Sequence, residues 1–183
     1  MDSPLTLEAG LARAIELYNA GRGAQAEATC RQALDRHGPH PALDQLLAVL
    51  CHERGDSGAA SLHVERSLKA RPAHVPTLIV AALVRQDVHD LAGAAQALQA
   101  VLQQQHDHVA ARVNLGVVRL EQGRLEEALD EFGLAYALRP QAYGRIANAL
   151  TSAPTGALWL DPQRLRATLQ QRGQRAAAPP SKP

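Results

Sequence analysis

The stretch VAARVNLGVVRLEQGRLEEALDEFGLAYALRP, residues 109–140, decides the fold. In its first half Val109, Val113, Val117 and Leu120 recur at steps of three and four, which places them on one helical face. Gln122-Gly123-Arg124 breaks that run, and Gly123 is free to take the positive φ that ends a helix. Leu125, Ala128, Leu129, Phe132 and Ala135 then form a second stripe, which Pro140 stops after Arg139. The stretch predicts two helices, Val109–Gln122 and Leu125–Leu138, folded into a hairpin. Neither can bury its apolar face alone, so such a hairpin needs neighbours to stack on.

The neighbours are in the same chain. Gly21, Gly55, His89 and Gly123 are spaced 34 residues apart, as are Ala26, Ala60, Ala94 and Ala128. Ala14, Ala48, Ala82 and Gly116 share another phase of the same period, and Ala33, Ser67, Val101 and Ala135 are nearly as small. Small side chains on both helices allow close approach. Leu at position 94 or 128 should overpack the contact at a cost of roughly 1–3 kcal/mol.

The period, the small residues, the turn Gly and the closing Pro72 and Pro140 resemble tetratricopeptide repeats. The fourth unit matches best, from Asn114-Leu115-Gly116 through Gly123-Arg124-Leu125-Glu126-Glu127-Ala128 to Ala137-Leu138-Arg139-Pro140. The repeats are placed at 7–40, 41–74, 75–108 and 109–142, after an N-terminal extension 1–6. The resemblance implies an all-α, right-handed superhelical solenoid of helix-turn-helix repeats. The family's aromatic on the first helix is replaced by Gly10, Asp44, Leu78 and Arg112. Its Tyr before the break is replaced by Leu17, Cys51, Arg85 and Arg119, and the third repeat has His89 for Gly and His106 for Pro.

Past Pro140 the pattern changes. Gln141–Leu150 reads as a fifth first helix, with Tyr143, Ile146, Ala147 and Leu150 on one face. It is cut by the loop Ser152-Ala153-Pro154-Thr155-Gly156. Asp161-Pro162 reads as an N-cap and first helical residue, opening a helix that Gly173 should end. Residues 143–172 are expected to form a C-terminal cap, with Leu158, Trp159, Leu160, Leu165 and Leu169 packed on repeat four. Residues 173–183 are expected to be disordered.

Composition narrows the function. The chain has 183 residues, 46% apolar but 3% aromatic, so Ala and Leu supply the core of one elongated domain. No run of 18 apolar residues exists, and Met1-Asp2-Ser3-Pro4-Leu5 lacks a signal-peptide pattern, so a cytoplasmic protein is expected. Cys30 and Cys51 read as buried thiols. Arg-rich, Lys-poor composition points to a bacterial source. Residues 139–183 hold seven basic residues against one acidic, and residues 1–138 hold 12 against 17. That asymmetry reads as a solvated face and tail, or a site for an acidic partner.

No nucleophile motif, phosphate loop or Cys-pair array is present, so no enzyme and no cofactor is expected. His40, His74 and His108 share one repeat phase, but repeats about 10 Å apart are too distant for one zinc ion to bridge with bonds near 2 Å. Nucleic-acid binding would need basic stripes interleaved with aromatics, which are lacking.

The resemblance implies that the first helices line a concave groove. Its residues would be Leu11, Ile15 and Tyr18; Gln45, Val49 and His52; Ile79, Leu83 and Gln86; and Val113, Asn114, Val117 and Leu120. Asn19, Glu53, Asp87 and Glu121 would give it an acidic edge. Only Asn114 matches the carboxylate clamp of some relatives, and Lys69 and Lys182 are the only lysines. An apolar floor suits an amphipathic helix or an extended segment with apolar anchors. The expected function is a protein–protein interaction module, as adaptor, assembly factor or chaperone. The alternatives are an accessory subunit of a bacterial enzyme such as a transferase, and a self-associating scaffold or homo-oligomer.

Overall fold

The computed structural model describes residues 6–152 and 161–177. The chain divides into two compact units, Met1–Val88 and His89–Pro183. The first contains α1 (Leu7–Asn19), α2 (Gly23–His37), α3 (Pro41–Glu53), α4 (Ser57–Ala70) and α5 (Val75–Asp87). The second contains α6 (Leu91–Gln104), α7 (Val109–Glu121), α8 (Leu125–Leu138), a 3-10 turn at Pro140–Ala142, α9 (Tyr143–Ser152) and α10 (Pro162–Ala177). The described residues include no strand, and the all-α repeat architecture read from the sequence is present. The first helices begin at residues 7, 41, 75 and 109, so the period is carried faithfully by the backbone.

The turns show why. Gly21, Gly55 and Gly123 take φ of 71°, 79° and 75°. In the fourth repeat Gly123 N–H donates to Leu120 O (2.9 Å) and Arg124 N–H to Arg119 O (2.8 Å), satisfying carbonyls the ending helix leaves open. His89 stands in the third turn without glycine's freedom, yet it also takes a positive φ, 60°. The second helices then start on side-chain caps where one is available. Asp56 accepts from Ala59 N–H (3.0 Å) and Asp90 from Gly93 N–H (2.9 Å).

Helix approach is set by small residues. Ala14, Ala26, Ala48 and Ala60 are fully buried in the first unit, as are Ala94 and Ala128 in the second. Gly116 is the exception among the first-helix alanines, and the reason is Phe132: a Cβ at 116 would lie 2.4–2.9 Å from its ring. At the phase of Phe132 the other repeats have Cys30, Val64 and Leu98, all smaller. The largest partner thus faces the smallest residue.

The absent first-helix aromatics are replaced twice by polar pairs across the hairpin. Asp44 on α3 bonds His63 on α4 (2.8 Å), and Arg112 on α7 bonds Glu131 on α8 (2.9 Å). A buried polar chain also ties α3, α4 and α5. Ser67 Oγ donates to Pro41 O (2.9 Å) and contacts Thr77 Oγ1 (3.1 Å), which in turn contacts His74 Nδ1 (2.9 Å).

In the second unit Ile146 and Leu150 of α9 and Leu165 and Leu169 of α10 are buried in one core with Val113, Leu120, Leu129 and Phe132. Asp161 Oδ1 caps α10, accepting from Gln163 N–H (2.8 Å) and Arg164 N–H (3.2 Å). Gly173 does not end this helix, which continues to Ala177. It sits where α10 crosses α8, and a Cβ there would be 2.5 Å from Gly133 O. Gly133 is equally tight, with Gly173 N 2.7 Å from its notional Cβ. The start of α10 is tied to Tyr143, just past the end of α8, and Arg172 to Glu126 and Asp130, so the two helices run antiparallel. The expected cap residues Leu158, Trp159 and Leu160 lie outside the described residues, as does 178–183 of the expected tail.

Two outcomes follow. His89→Gly should stabilise the fold by up to about 1 kcal/mol, because an L side chain in the left-handed region is strained; a urea midpoint unchanged or lowered would contradict this. Gly173→Leu should undock α10, seen as faster amide exchange over 162–177 and a smaller rise in α8, while exchange in α6 is unchanged.

Candidate functional site

The residues assigned to a groove divide between the two units. In the first, α1, α3 and α5 pack side by side as successive first helices. Leu11, Tyr18, Gln45, Val49, His52, Ile79, Leu83 and Gln86 are half-buried there, and Ile15 is 43% exposed. The acidic edge is not free. Tyr18 Oη donates to Glu53 Oε1 (2.6 Å), and His52 Nδ1 pairs with Asp87 Oδ2 (2.7 Å). Each bond links the twelfth position of one repeat to the thirteenth of the next, so these polar residues stitch repeats together. The hydrogen bond to Glu53, with burial and the carboxylate's charge, raises the Tyr18 pKa above its ordinary value.

The same unit holds both thiols. Cys30 and Cys51 are fully buried. Burial, with the nearby Glu27 charge, pushes the Cys30 thiol up to about 11, and the same causes raise Cys51. Neither is a nucleophile at neutral pH. Glu27 itself is buried between Arg31 (2.6 Å) and Arg54 (2.6 Å), and Arg54 also reaches Asp56 (3.2 Å).

The three phased histidines stand at the N-caps of α3, α5 and α7, and only His108 caps its helix through the side chain. His108 Nδ1 accepts from Ala111 N–H (3.1 Å), capping α7, and His74 Nδ1 meets Thr77 before α5. Burial and the Arg71 charge lower the His74 pKa. His40 Nδ1, before α3, is buried without a partner. Among the described residues no three His, Cys, Asp or Glu side chains converge as a metal site would require.

In the second unit a recess of about 360 Å³ opens between α7 and α9. Val113, Val117 and Leu120 form its apolar wall, with Glu121, Arg145, Asn148, Ala149 and Ser152 around it. Val113 and Leu120 are each only 2% exposed and belong mainly to the core beneath α9, leaving Val117 and Ala149 as the reachable apolar surface. Asn114 is half-buried at the edge, its Oδ1 accepting from Arg145 Nη2 (3.2 Å). The α9 contributors were missing from the residue set read off the sequence. The repeat phase carried one step further would have found them: Asn148 follows Asn114 by one period.

Tyr18→Phe tests the inter-repeat stitch. Losing a partly exposed bond to a carboxylate should cost about 0.5–1 kcal/mol near pH 7. Because the folded-state pKa of Tyr18 is raised, this contribution is present below the ordinary phenol pKa and disappears as pH rises through the folded value. Urea unfolding of the two proteins should therefore differ at pH 7 and converge at strongly alkaline pH.

The arrangement has relatives of known structure. No curated protein sequence matches the chain. A thermophilic TPR protein of Thermus thermophilus superimposes with a TM-score of 0.70 at 16% identity, over 94% of this chain and 92% of that one. The crystal structure of MamA gives 0.67 at 14% identity, over 89% and 91%. Pseudomonas aeruginosa pilF gives 0.71 at 16% identity, over 94% and 77%. At such identities these likenesses concern the fold. The sequence profile described as Tetratricopeptide repeat matches residues 11–75 and 79–143, well over half of the chain. With the period, the glycine turns and the buried alanines, that match makes the chain a member of the tetratricopeptide repeat family.

Proposed function

We propose that the chain is a non-catalytic, cytoplasmic protein-interaction module, acting as an adaptor, assembly factor or chaperone that holds a segment of a partner against its first helices. The observation that carries this reading is the α7–α9 recess. Its volume of about 360 Å³ lies in the range of small binding pockets, and three of the residues assigned from sequence wall it. A Leu- or Met-sized anchor would rest on Val117 and Ala149, above the Val113 and Leu120 floor. Arg145, held by Asn114, would meet an acidic residue beside that anchor. Helices α9 and α10 close the stack in this reading, with α9 also supplying half of the site.

The polar groups that could have competed for a partner in the first unit are spent on Tyr18–Glu53 and His52–Asp87. What remains there is the apolar row Ile15, Val49 and Leu83, an apolar surface of the first unit by itself. No helix among the described residues is long and apolar enough to cross a membrane.

The test is capture with three baits of matched helicity: wild type, Val117→Glu and Leu62→Glu. Leu62 is 58% exposed on α4, a second helix. A partner reduced at least about tenfold by Val117→Glu alone, equivalent to roughly 1.4 kcal/mol, supports the reading. A partner held equally by all three places the site away from the first helices.

A further inference from the structure

A second recess lies in the first unit, away from the first-helix row. It has a volume of about 560 Å³ and is formed by the ends of α2 and α4 and the Pro39-His40-Pro41 turn. One group in its wall lacks a partner, and a buried carboxylate beside the same helix start is held by one side chain. Asp44 is only 2% exposed, and among the described residues its carboxylate has one side-chain partner, His63, through Oδ1 (2.8 Å). His40 Nδ1 is buried with no partner, whereas the Nδ1 atoms of His74 and His108 are engaged. Buried polar atoms are normally paired, and an unpaired one in a cavity wall marks a place for a ligand group.

The chemistry of the missing group follows from the acceptors. A carboxylate and an imidazole nitrogen in the lining of one recess call for a donor-rich cation, and a guanidinium offers five N–H donors in a planar fork. The mouth adds a second requirement. Arg66 and Lys69 on α4 are exposed there, facing one exposed carboxylate, Asp35 on α2, and among the described residues neither base has an ion-pair partner. The mouth is thus mixed but net basic, so the group that fits best carries a carboxylate next to its guanidinium, the guanidinium passing Asp35 and the carboxylate meeting Arg66 and Lys69. Pro39, Pro41 and Ala70 provide apolar surface for the stem between them.

We propose that this recess binds an extended peptide segment of a protein partner in which an arginine side chain enters toward Asp44 and His40 while a neighbouring acidic residue meets Arg66 and Lys69. The site shares no residue with the α7–α9 recess, so the chain carries two separable contacts, one apolar and one ionic.

The probe is a fluorescein-labelled Gly-Ala-Glu-Arg-Ala-Gly peptide, titrated with the full chain and read by anisotropy. Binding is expected with a Kd between about 0.1 and 1 mM at low salt. Replacing the peptide's Arg by Gln should weaken it at least tenfold, and so should Asp44→Asn. Because Asp44→Asn also removes the His63 pairing, the exposed double variant Arg66→Glu with Lys69→Glu is the independent check. It should keep wild-type helicity and lose binding by a similar factor. Val117→Glu should bind the probe as wild type does, which separates this site from the proposed first-helix contact. No saturation by about 10 mM protein-equivalent sites, or affinity indifferent both to the peptide's Arg and to the double charge reversal, would overturn the proposal.

Discussion

Every hairpin in this chain depends on how closely two helices can approach, because Ala and Leu furnish a core with one phenylalanine in it. Close approach replaces the large aromatic contacts that otherwise fill such hairpins, and it is permitted by side chains no larger than methyl at two repeat phases. The constraint propagates. A hairpin with little aromatic surface buries little area by itself, so its stability comes from stacking on neighbours. Stacking in turn demands a constant period, which the four first-helix starts at 7, 41, 75 and 109 display. Where one large residue is admitted, at Phe132, the facing Ala is reduced to Gly116.

Polar residues then supply what aromatics do not. Asp44–His63 and Arg112–Glu131 occupy equivalent positions in different repeats with the charges reversed. A single pair would be a curiosity, but two at one phase show that the position accepts a polar bridge across the hairpin, where the other two repeats have Gly10 and Leu78. The Tyr18–Glu53 and His52–Asp87 bonds play the corresponding part between repeats. Half-buried bonds of this kind are worth little individually, yet they fix the register of helices whose apolar faces are smooth. The polar edge of the first helices in the first unit therefore serves the stack.

Much of the fold was legible because a period survives substitution: His89 keeps the positive φ of a turn glycine, and Pro at position 106 is not needed for α6 to end at Gln104. The site was less legible. Val113 and Leu120 share the helical stripe of Val117, but the stripe cannot say which of its members a later helix covers; α9 covers these two. Glu53 and Asp87 looked like a free acidic edge because pairing over 35 residues leaves no local mark in sequence. Gly173 looked like a helix end because a glycine's usual reason for being there is a turn. Its reason here is a backbone crossing against Gly133, and that needs two distant glycines to be considered together.

That crossing also accounts for one of the seven basic residues of the C-terminal segment, Arg172. The basic surplus of the C-terminal segment invites the idea of an external acidic partner, yet the acids nearest to it are on α8. Arg172 spans Glu126 and Asp130, and its guanidinium is raised in pKa by those two hydrogen bonds. Arg166 lies 4.5 Å over the Tyr143 ring, and Tyr143 Oη donates to Pro162 O (3.3 Å), so α10 is oriented at both ends. Glycines bring the backbones together, Leu165 and Leu169 fill the space between, and the ion pairs select antiparallel docking onto α8. Because α10 is aimed at the second helix of the repeat, it leaves the α7–α9 recess uncovered. Charge and glycine together thus decide which face of the last repeat α10 seals.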